Sequence, residues 1–565
     1  MQLPGQYRSY SPLPFAALVL AISAVGLSAG LGSVGLLDNN EGINAEIGRE
    51  MLDGRSFVIP TLNGLPYIEK PPLLYWALAS SYAVLGVNEF AARVVPLGAA
   101  MLQLALLVWF GRRVGTPRIG VIAAAVLATS VGFFFLARAV MIDLLLSSLL
   151  NAALMLAYLA LRTARRQLVR YGYAVLALAV LTKGWVALAL FGLIVGAYLA
   201  LRGRDRSREL RGLLLDPPAI AVFVLVVAPW HIAATLAEPG FAWFYFVNEH
   251  VLRFLGQRQP ADFYTGSVLY HVPRVLALFF PWSAFLPLLA VAPNQRVFLK
   301  DEAWFWLLAF VMPFAFFSLS AAKANYYMIV GLPALAWLIA AAIDRLLREQ
   351  RARQLALPLG ALVISWLVLA GIGAHVNAIG IGLAGLDLEP TLAGVLALCV
   401  AALATTAFLA AQRGLGTAVW VCLLALAACG PLYAARLLET NEAALSSRSL
   451  VRALQARSPA AHVALYRDFE WLSSVRFYLN APVQVVDTAS NDLRYGLSMH
   501  PAESVALRLG DLWEAAAQRD YWLVLRAPLA DEVRAKAPDS MLVRELEAPP
   551  RSDLRVFKIS APAPD

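Results

Sequence analysis

Residues 171–201, YGYAVLALAVLTKGWVALALFGLIVGAYLAL, decide how the chain is threaded. The stretch is uncharged except for Lys183, with Arg162, Arg165, Arg166 and Arg170 before it and the arginines within 202–211 after it. Basic loops mark the cytoplasmic side of a bilayer. Two such flanks require an even number of crossings, so the run reads as two short spans, 171–182 and 184–201, with Thr182-Lys183-Gly184 at the opposite surface. Further basic clusters at Arg112, Arg113 and Arg118, and at Arg345, Arg348, Arg351 and Arg353, set the same orientation for the rest of the chain.

Composition agrees. Of 565 residues, 60% are hydrophobic and 15% charged, against roughly 25% charged in a soluble domain, and the mean hydropathy is +0.66. A cytosolic globular protein is excluded. The net charge of +9 comes from Lys and Arg in short loops, which is topology rather than nucleic-acid binding. Cys399, Cys422 and Cys429 all lie in apolar runs, so no disulfide framework or cysteine-based zinc site is expected.

Apolar runs of about 20 residues cross a bilayer, and about thirteen are expected: 14–36, 93–111, 118–136, 143–161, 171–182, 184–201, 216–236, 268–292, 303–320, 325–343, 356–377, 391–411 and 415–436. The first reads as a retained span rather than a cleaved signal. The same parity excludes 73–87, which begins after Pro71-Pro72 and reads as a helix at the outer interface. The expected fold class is therefore an α-helical polytopic membrane protein over 1–438, with a first outer loop at 37–92. An odd number of spans leaves residues 439–565 outside. There, β-like runs at 463–466, 483–486 and 521–525 alternate with helical patterns such as 501–518, the mark of a small α/β domain.

Polar residues unusual in a membrane chain collect on the outer face: Asp38, Asn40 and Glu41; Glu69 and Lys70; Asp143; Lys183; Asn248-Glu249-His250 and Arg253; and Lys323 with Tyr326 and Tyr327. Ionisable groups at a bilayer edge are costly unless paired or hydrated, so their convergence points to a site. Lys70, Lys183, Arg253 and Lys323 suit an anionic headgroup. Asp38, Glu41 and Asp143 suit a general base or a group offsetting positive charge in glycosyl chemistry. Glu69 and His250 suit a shared divalent cation, zinc or manganese. Each also has a plainer reading, as an interfacial anchor or a hydrated loop residue. Glu46, Arg49, Glu50 and Asp53 sit at helical spacing and read as a solvated, ion-paired face without a chemical role.

The strings NNEGINAEIGREML (39–52), YIEKPPLLYW (67–76), GVNEFAARVVP (86–96), ARAVMID (137–143), LTKG (181–184), PWHIAATLAEPGFAWFYFVNEHVLRF (229–254), PWSAFLP (281–287) and SLSAAKANYYMIVGLPALA (318–336) resemble the aminoarabinose transferase group of lipid-linked-sugar glycosyltransferases. These are similar to the protein O-mannosyltransferase-like enzymes of the GT-C fold. The resemblance runs in order over 35–340. It implies an inverting transfer of a sugar from undecaprenyl phosphate to a periplasmic acceptor at the bacterial inner membrane, with a lipid A phosphate as the group's usual acceptor. By motif it implies metal-site positions at Glu69 and His250, phosphate binding by Lys70 and Arg253, and the acidic position of the second outer loop at Asp143. Lys183, Lys323 and Tyr326 fall in group motifs, with donor-phosphate binding as their expected role.

One departure stands out. Where the group carries Asp-Glu and then Arg two residues on, this chain has Asn40-Glu41 and then Ile43. Asp38 or Glu41 replaces the lost carboxylate, or no base is needed because a phosphate acceptor is already ionised. Transfer to a glycan or protein hydroxyl with Asp38 as base, and a lipid-linked-sugar flippase, are the alternatives. The donor sugar, the oligomeric state and the role of the C-terminal domain stay open at this point.

Overall fold

In a computed structural model the described residues are 12–561 apart from 55, 203–210, 263–264, 291–300, 379–386, 501–504, 547–550 and 552. Each expected apolar run carries helix, and eight helices are individually long and apolar enough to cross a membrane, or nine if one bent pair is a single span. The chain is a polytopic membrane protein. The expected straight span at 268–292 is that bent pair: Val268–Leu278 and Trp282–Ala290 meet at 116°. Pro281 supplies no N–H at the break, and Pro287 removes another. The expected span at 118–136 is likewise interrupted, as helices Pro117–Ala128 and Val131–Leu136, and the first helix stops at Ser28 rather than near 36.

The basic ends are stitched together by acids. Arg118 and Arg348 both reach Asp344, each at 2.8 Å, and Arg170 and Arg166 pair with Asp216 at 2.9 and 3.3 Å. These clamps put the basic loops around 118, 166, 216 and 348 at the ends of neighbouring helices. Of the arginines within 202–211, those at 204, 206 and 208 lie outside the described residues.

After the long helix Gly416–Thr440 comes a six-stranded sheet. A small hairpin in the first loop supplies β1 (Thr61–Leu62) and β2 (Leu65–Pro66); the sheet contains β3 (His462–Tyr466), β4 (Gln484–Val486), β5 (Ala506–Leu507), β6 (Tyr521–Arg526), β7 (Leu542–Glu545) and β8 (Leu554–Ser560), in the order β5-β4-β3-β6-β8-β7. Pairing is parallel from β5 to β6 and antiparallel at β8 and β7. The expected strands at 463–466, 483–486 and 521–525 are β3, β4 and β6. The expected helical stretch at 501–518 forms helix only at Leu509–Ala516, preceded by β5, while 501–504 lie outside the described residues.

Side chains alternate across a strand, and here each face has a different partner. Ala464, Tyr466, Leu523 and Leu525 pack under Leu512, Trp513 and Val533. Val463, Leu465, Val485, Trp522 and Val524 share one core with Ile43, Ile47, Leu62, Leu65, Tyr75 and Leu78 of the first loop. The C-terminal domain is thus not appended to the loop but completes its core.

That union corrects the reading of helix Asn40–Leu52. Its acids are ion-paired as expected, but they are not solvated: Glu46 and Glu50 have no exposed surface and Arg49 is buried. Arg49 grips Glu46 with two bonds of 2.6 and 2.8 Å. Arg476 of the C-terminal domain reaches Glu46 and Glu50, each at 3.2 Å. The i,i+3 spacing shows the local pair but not the cover, which lies more than 400 positions away.

Candidate active site

The helix Leu73–Leu85 starts after Pro71-Pro72, where prolines without N–H groups suit a helix beginning. Glu69 and Lys70 are therefore held at its mouth. Across from them, Trp243–Leu252 form a π-helix, a rare wide turn that is frequent at functional sites. It carries Glu249 and His250, and Arg253 follows in the next turn. Gly256, with a φ of +75°, ends the run, and Asn248 folds the chain back by exchanging two hydrogen bonds with Gln259, at 2.8 and 2.9 Å. This brings in Arg258, which the sequence reading did not single out.

Glu249 is the hub. Buried, it accepts from Arg253 Nη1 at 2.7 Å, from Arg258 Nε, and from Lys70 Nζ at 3.4 Å. Burial alone would raise its pKa, but Lys70, Arg253 and Arg258 outweigh it and hold the carboxyl below the usual range. Arg258 also binds Glu69 Oε1 at 2.6 Å, and Arg253 binds Asp262 at 2.8 Å. Three cations thus face three carboxylates, but not equivalently. Arg258 is closed off, with a side chain only 4% exposed, whereas Lys70 and Arg253 keep 19% and 26%. Both contacts of Lys70 with carboxylates are 3.4 Å long, beyond the 2.7–2.9 Å of a strong charge-assisted bond. Arg253 Nε is buried with no hydrogen-bond partner among the described residues. Lys70 and Arg253 are the groups with donors left for an anion.

Beside them, Asp143 opens helix Ile142–Thr163 and pairs with Lys183, whose ammonium lies 4.5 Å from the ring centre of Tyr327 and 5.8 Å from that of Tyr326. Arg253 is within electrostatic reach of both Lys183 and Tyr327. The structure therefore brings Lys70, Asp143, Lys183, Arg253 and Tyr326 into one region.

Other candidates are spent elsewhere. Asp38 accepts from Ser474 N and Oγ, from Ser447 Oγ at 2.8 Å and from Arg551 at 2.7 Å. It ties the loop to the C-terminal domain, and its lone pairs are occupied by that role rather than open to a substrate proton. Glu41 takes both arms of Arg93 at 2.8 and 2.9 Å, plus the N–H groups of Leu37 and Val140. It fastens the first loop to the stretch leading into the helix that Asp143 opens. Asn40, next to it, is half-buried and opens its helix. Lys323 is buried and donates to the carbonyls of Phe317 and Ser318, at 3.0 and 2.8 Å.

The expected metal pair does not fit. Glu69 is engaged by Arg258 and Lys70. His250 Nε2 accepts the Trp185 N–H at 3.1 Å, so Nδ1 carries the proton and donates it to Tyr245 O at 2.6 Å. Both ring nitrogens are occupied, and burial lowers the pKa of the ring, keeping it neutral. No group of three or more His, Cys, Asp or Glu converges as metal ligands among the described residues.

Beyond Trp185 an apolar cavity of about 410 Å³ runs past Val227, His231, Ile232, Leu236 and Phe246. Trp185 joins the two features: its N–H meets His250, next to Glu249, and it lines the cavity. Residues 69–232 match the family model described as dolichyl-phosphate-mannose-protein mannosyltransferase. The chain is 31% identical over 349 residues to an undecaprenyl phosphate-α-4-amino-4-deoxy-L-arabinose arabinosyl transferase of Pectobacterium atrosepticum, covering 60% of each. It is 32% identical over 350 residues to a second such transferase from Pseudomonas fluorescens, covering 60% of this chain and 61% of that one. The match thus spans about three fifths of these curated relatives. In fold the chain is similar to ArnT of Cupriavidus metallidurans bound to undecaprenyl phosphate, with a TM-score of 0.77, 22% identity, and 97% of this chain and 98% of that chain covered. The aminoarabinose-transferase resemblance and the GT-C fold are both shown, with the small sheet domain included.

Proposed function

We propose that this protein transfers a sugar from undecaprenyl phosphate to an acceptor at the periplasmic face of a bacterial inner membrane, and that 4-amino-4-deoxy-L-arabinose and a lipid A phosphate are its donor sugar and acceptor. The observation that supports this best is the pair Lys70 and Arg253: partly exposed cations with unfilled donor capacity on a buried carboxylate hub, beside Asp143–Lys183. The relatives' names supply the donor.

In this reading an oxygen of the acceptor phosphate attacks the anomeric carbon from the face opposite the leaving group. The bond from that carbon to the donor phosphate oxygen breaks, and undecaprenyl phosphate departs. Lys70 and Arg253 offset the charge that builds on it, in a site already arranged for the purpose. Asp143, held by Lys183, offsets positive charge on the sugar ring or orients the acceptor. An ionised phosphate has no proton to lose, which suits a chain with Asn40 where a carboxylate is usual and with Asp38 and Glu41 in structural roles. The polyprenyl tail runs along the apolar cavity past Trp185. No step is assigned to a metal.

The test is mass spectrometry of lipid A from a polymyxin-sensitive Gram-negative host that makes the donor but lacks its own transferase, with and without this protein. An aminopentose increment that vanishes in Lys70→Ala, with the variant still folded, is the expected result. No increment from a well-expressed wild type refutes this donor and acceptor pair, and normal transfer by Lys70→Ala overturns the site.

A further inference from the structure

One helix of the C-terminal domain, Asn491–Met499, lies across the site's loops. Its Asn491 Nδ2 donates to Ala261 O at 3.0 Å, beside Asp262. Further along, Tyr495 donates to Glu238 Oε1 at 3.2 Å and packs on Phe244, with ring centres 4.9 Å apart. Gly496 is pressed so closely on the β1–β2 hairpin that a Cβ there would lie 2.7 Å from Leu65 Cβ. Positions i, i+3 and i+4 share a helix face. Asp492 therefore lies on the face of Tyr495 and Gly496, one turn nearer the cation cluster, and it is within electrostatic reach of Lys70, Arg258, Glu69 and Glu470.

Asp492 has no task in the protein's own bonding. The helix is capped by Ser490 Oγ, which accepts from Leu493 N at 3.1 Å. Glu470 takes Ser490 Oγ at 2.6 Å and the Asp492 backbone N–H at 3.2 Å. The Asp492 carboxyl itself, half-buried, has no hydrogen bond or ion pair with any described residue. Burial and the nearby Glu69 and Glu470 raise its pKa well above the usual carboxylate range, yet protonated or ionised its oxygens keep acceptor capacity for the donor groups on whatever a phosphate held at Lys70 and Arg253 carries.

We propose that Asp492 is a sugar-recognition residue, lowered onto the site by the C-terminal domain so that a lipid phosphate held by Lys70 and Arg253 presents a hydroxyl or ammonium group of its sugar to the Asp492 carboxyl. This rests on the lipid-phosphate reading above and adds what reads the sugar. It also gives the C-terminal domain a part in recognising the substrate.

The experiment measures binding to the full chain in nanodiscs of two probes, undecaprenyl phosphate and undecaprenyl phosphate-4-amino-4-deoxy-L-arabinose, for wild type, Asp492→Asn and Asp492→Ala. Wild type should prefer the sugar-bearing lipid, and both variants should lose about tenfold of affinity for it, the weight of one hydrogen bond to a charged group. Their affinity for bare undecaprenyl phosphate should stay unchanged, which also reports that they fold. Equal sugar-lipid affinity in variants and wild type overturns the proposal, as does a wild type with no preference for the sugar. Loss of both probes by both variants assigns Asp492 a structural role and overturns it too. A wild type that prefers the sugar lipid in the Asp492-dependent way, yet adds nothing to lipid A, sinks the acceptor reading alone.

Discussion

At the residue scale the site turns on Glu249. It neutralises Arg253 and Arg258 and steadies Lys70, so removing its charge leaves three clustered cations, Arg258 among them buried, facing only Glu69 and Asp262. Glu249→Gln should destabilise the protein by about 3–5 kcal/mol, measurable as a lowered midpoint in thermal unfolding. The pH sign follows from its depressed pKa: the stability it contributes is present above the ordinary glutamate value of about 4.3 and is lost as pH falls through its folded value. Wild type should therefore lose stability on acidification over that range, and Glu249→Gln should lose less; equal slopes refute the assignment. Glu249, Lys70 and Arg253 were visible in the sequence as charges near membrane ends, although Glu249 was not given a role. Arg258 was not, because the single arginine in FLGQRQP (254–260) looks like an interfacial anchor. Only Gly256 as a helix terminator hinted that the chain turns back there.

At the element scale the turn between helices Arg166–Lys183 and Val186–Ala200 carries a requirement stronger than topology. Parity placed Lys183 at the surface opposite the basic loops, and its pairing with Asp143 follows from that placement. What parity did not disclose is how tightly the turn is packed. Gly184 has a φ of +83°, and a Cβ there would lie 2.3 Å from His250 Nε2 and 2.8 Å from Tyr245 Oη. Gly184→Ala should shift Lys183 and the π-helix together, and a misplacement of about an ångström costs roughly a hundredfold in rate. Single-turnover transfer by the purified variant checks this; near-normal turnover would show that the turn relaxes freely. The π-helix itself was hidden, since no residue pattern at 243–252 separates it from an ordinary helix. The bend at 279–281 was hidden too, because an apolar run reads the same bent or straight.

Across the whole molecule, apolar runs and basic loops made the membrane part legible, because burial in lipid imposes a composition that can be read locally. The union of loop and C-terminal domain was not legible, because its bonds join residues hundreds of positions apart. Asp38 looked like a base and Glu46 and Glu50 like a wet surface until Ser474, Arg476 and Arg551 were placed on them. With a shared core and these pairs buried, the connection through 441–446 is not what holds the domain on. A protease site engineered there should give a nicked protein whose two parts still co-elute from size-exclusion chromatography in mild detergent. Separation of the parts after cutting would show that docking depends on the tether.

The same long-range bonds impose an order of events on synthesis. Glu50 is made 426 residues before Arg476, and Asp38 is made 513 residues before Arg551. At about 5–20 residues per second, Glu50 and Asp38 of the first loop wait roughly 20–100 seconds for these partners. A chain that stops before Arg476 carries its membrane helices complete, yet lacks the cations that cover Glu50 and Asp38.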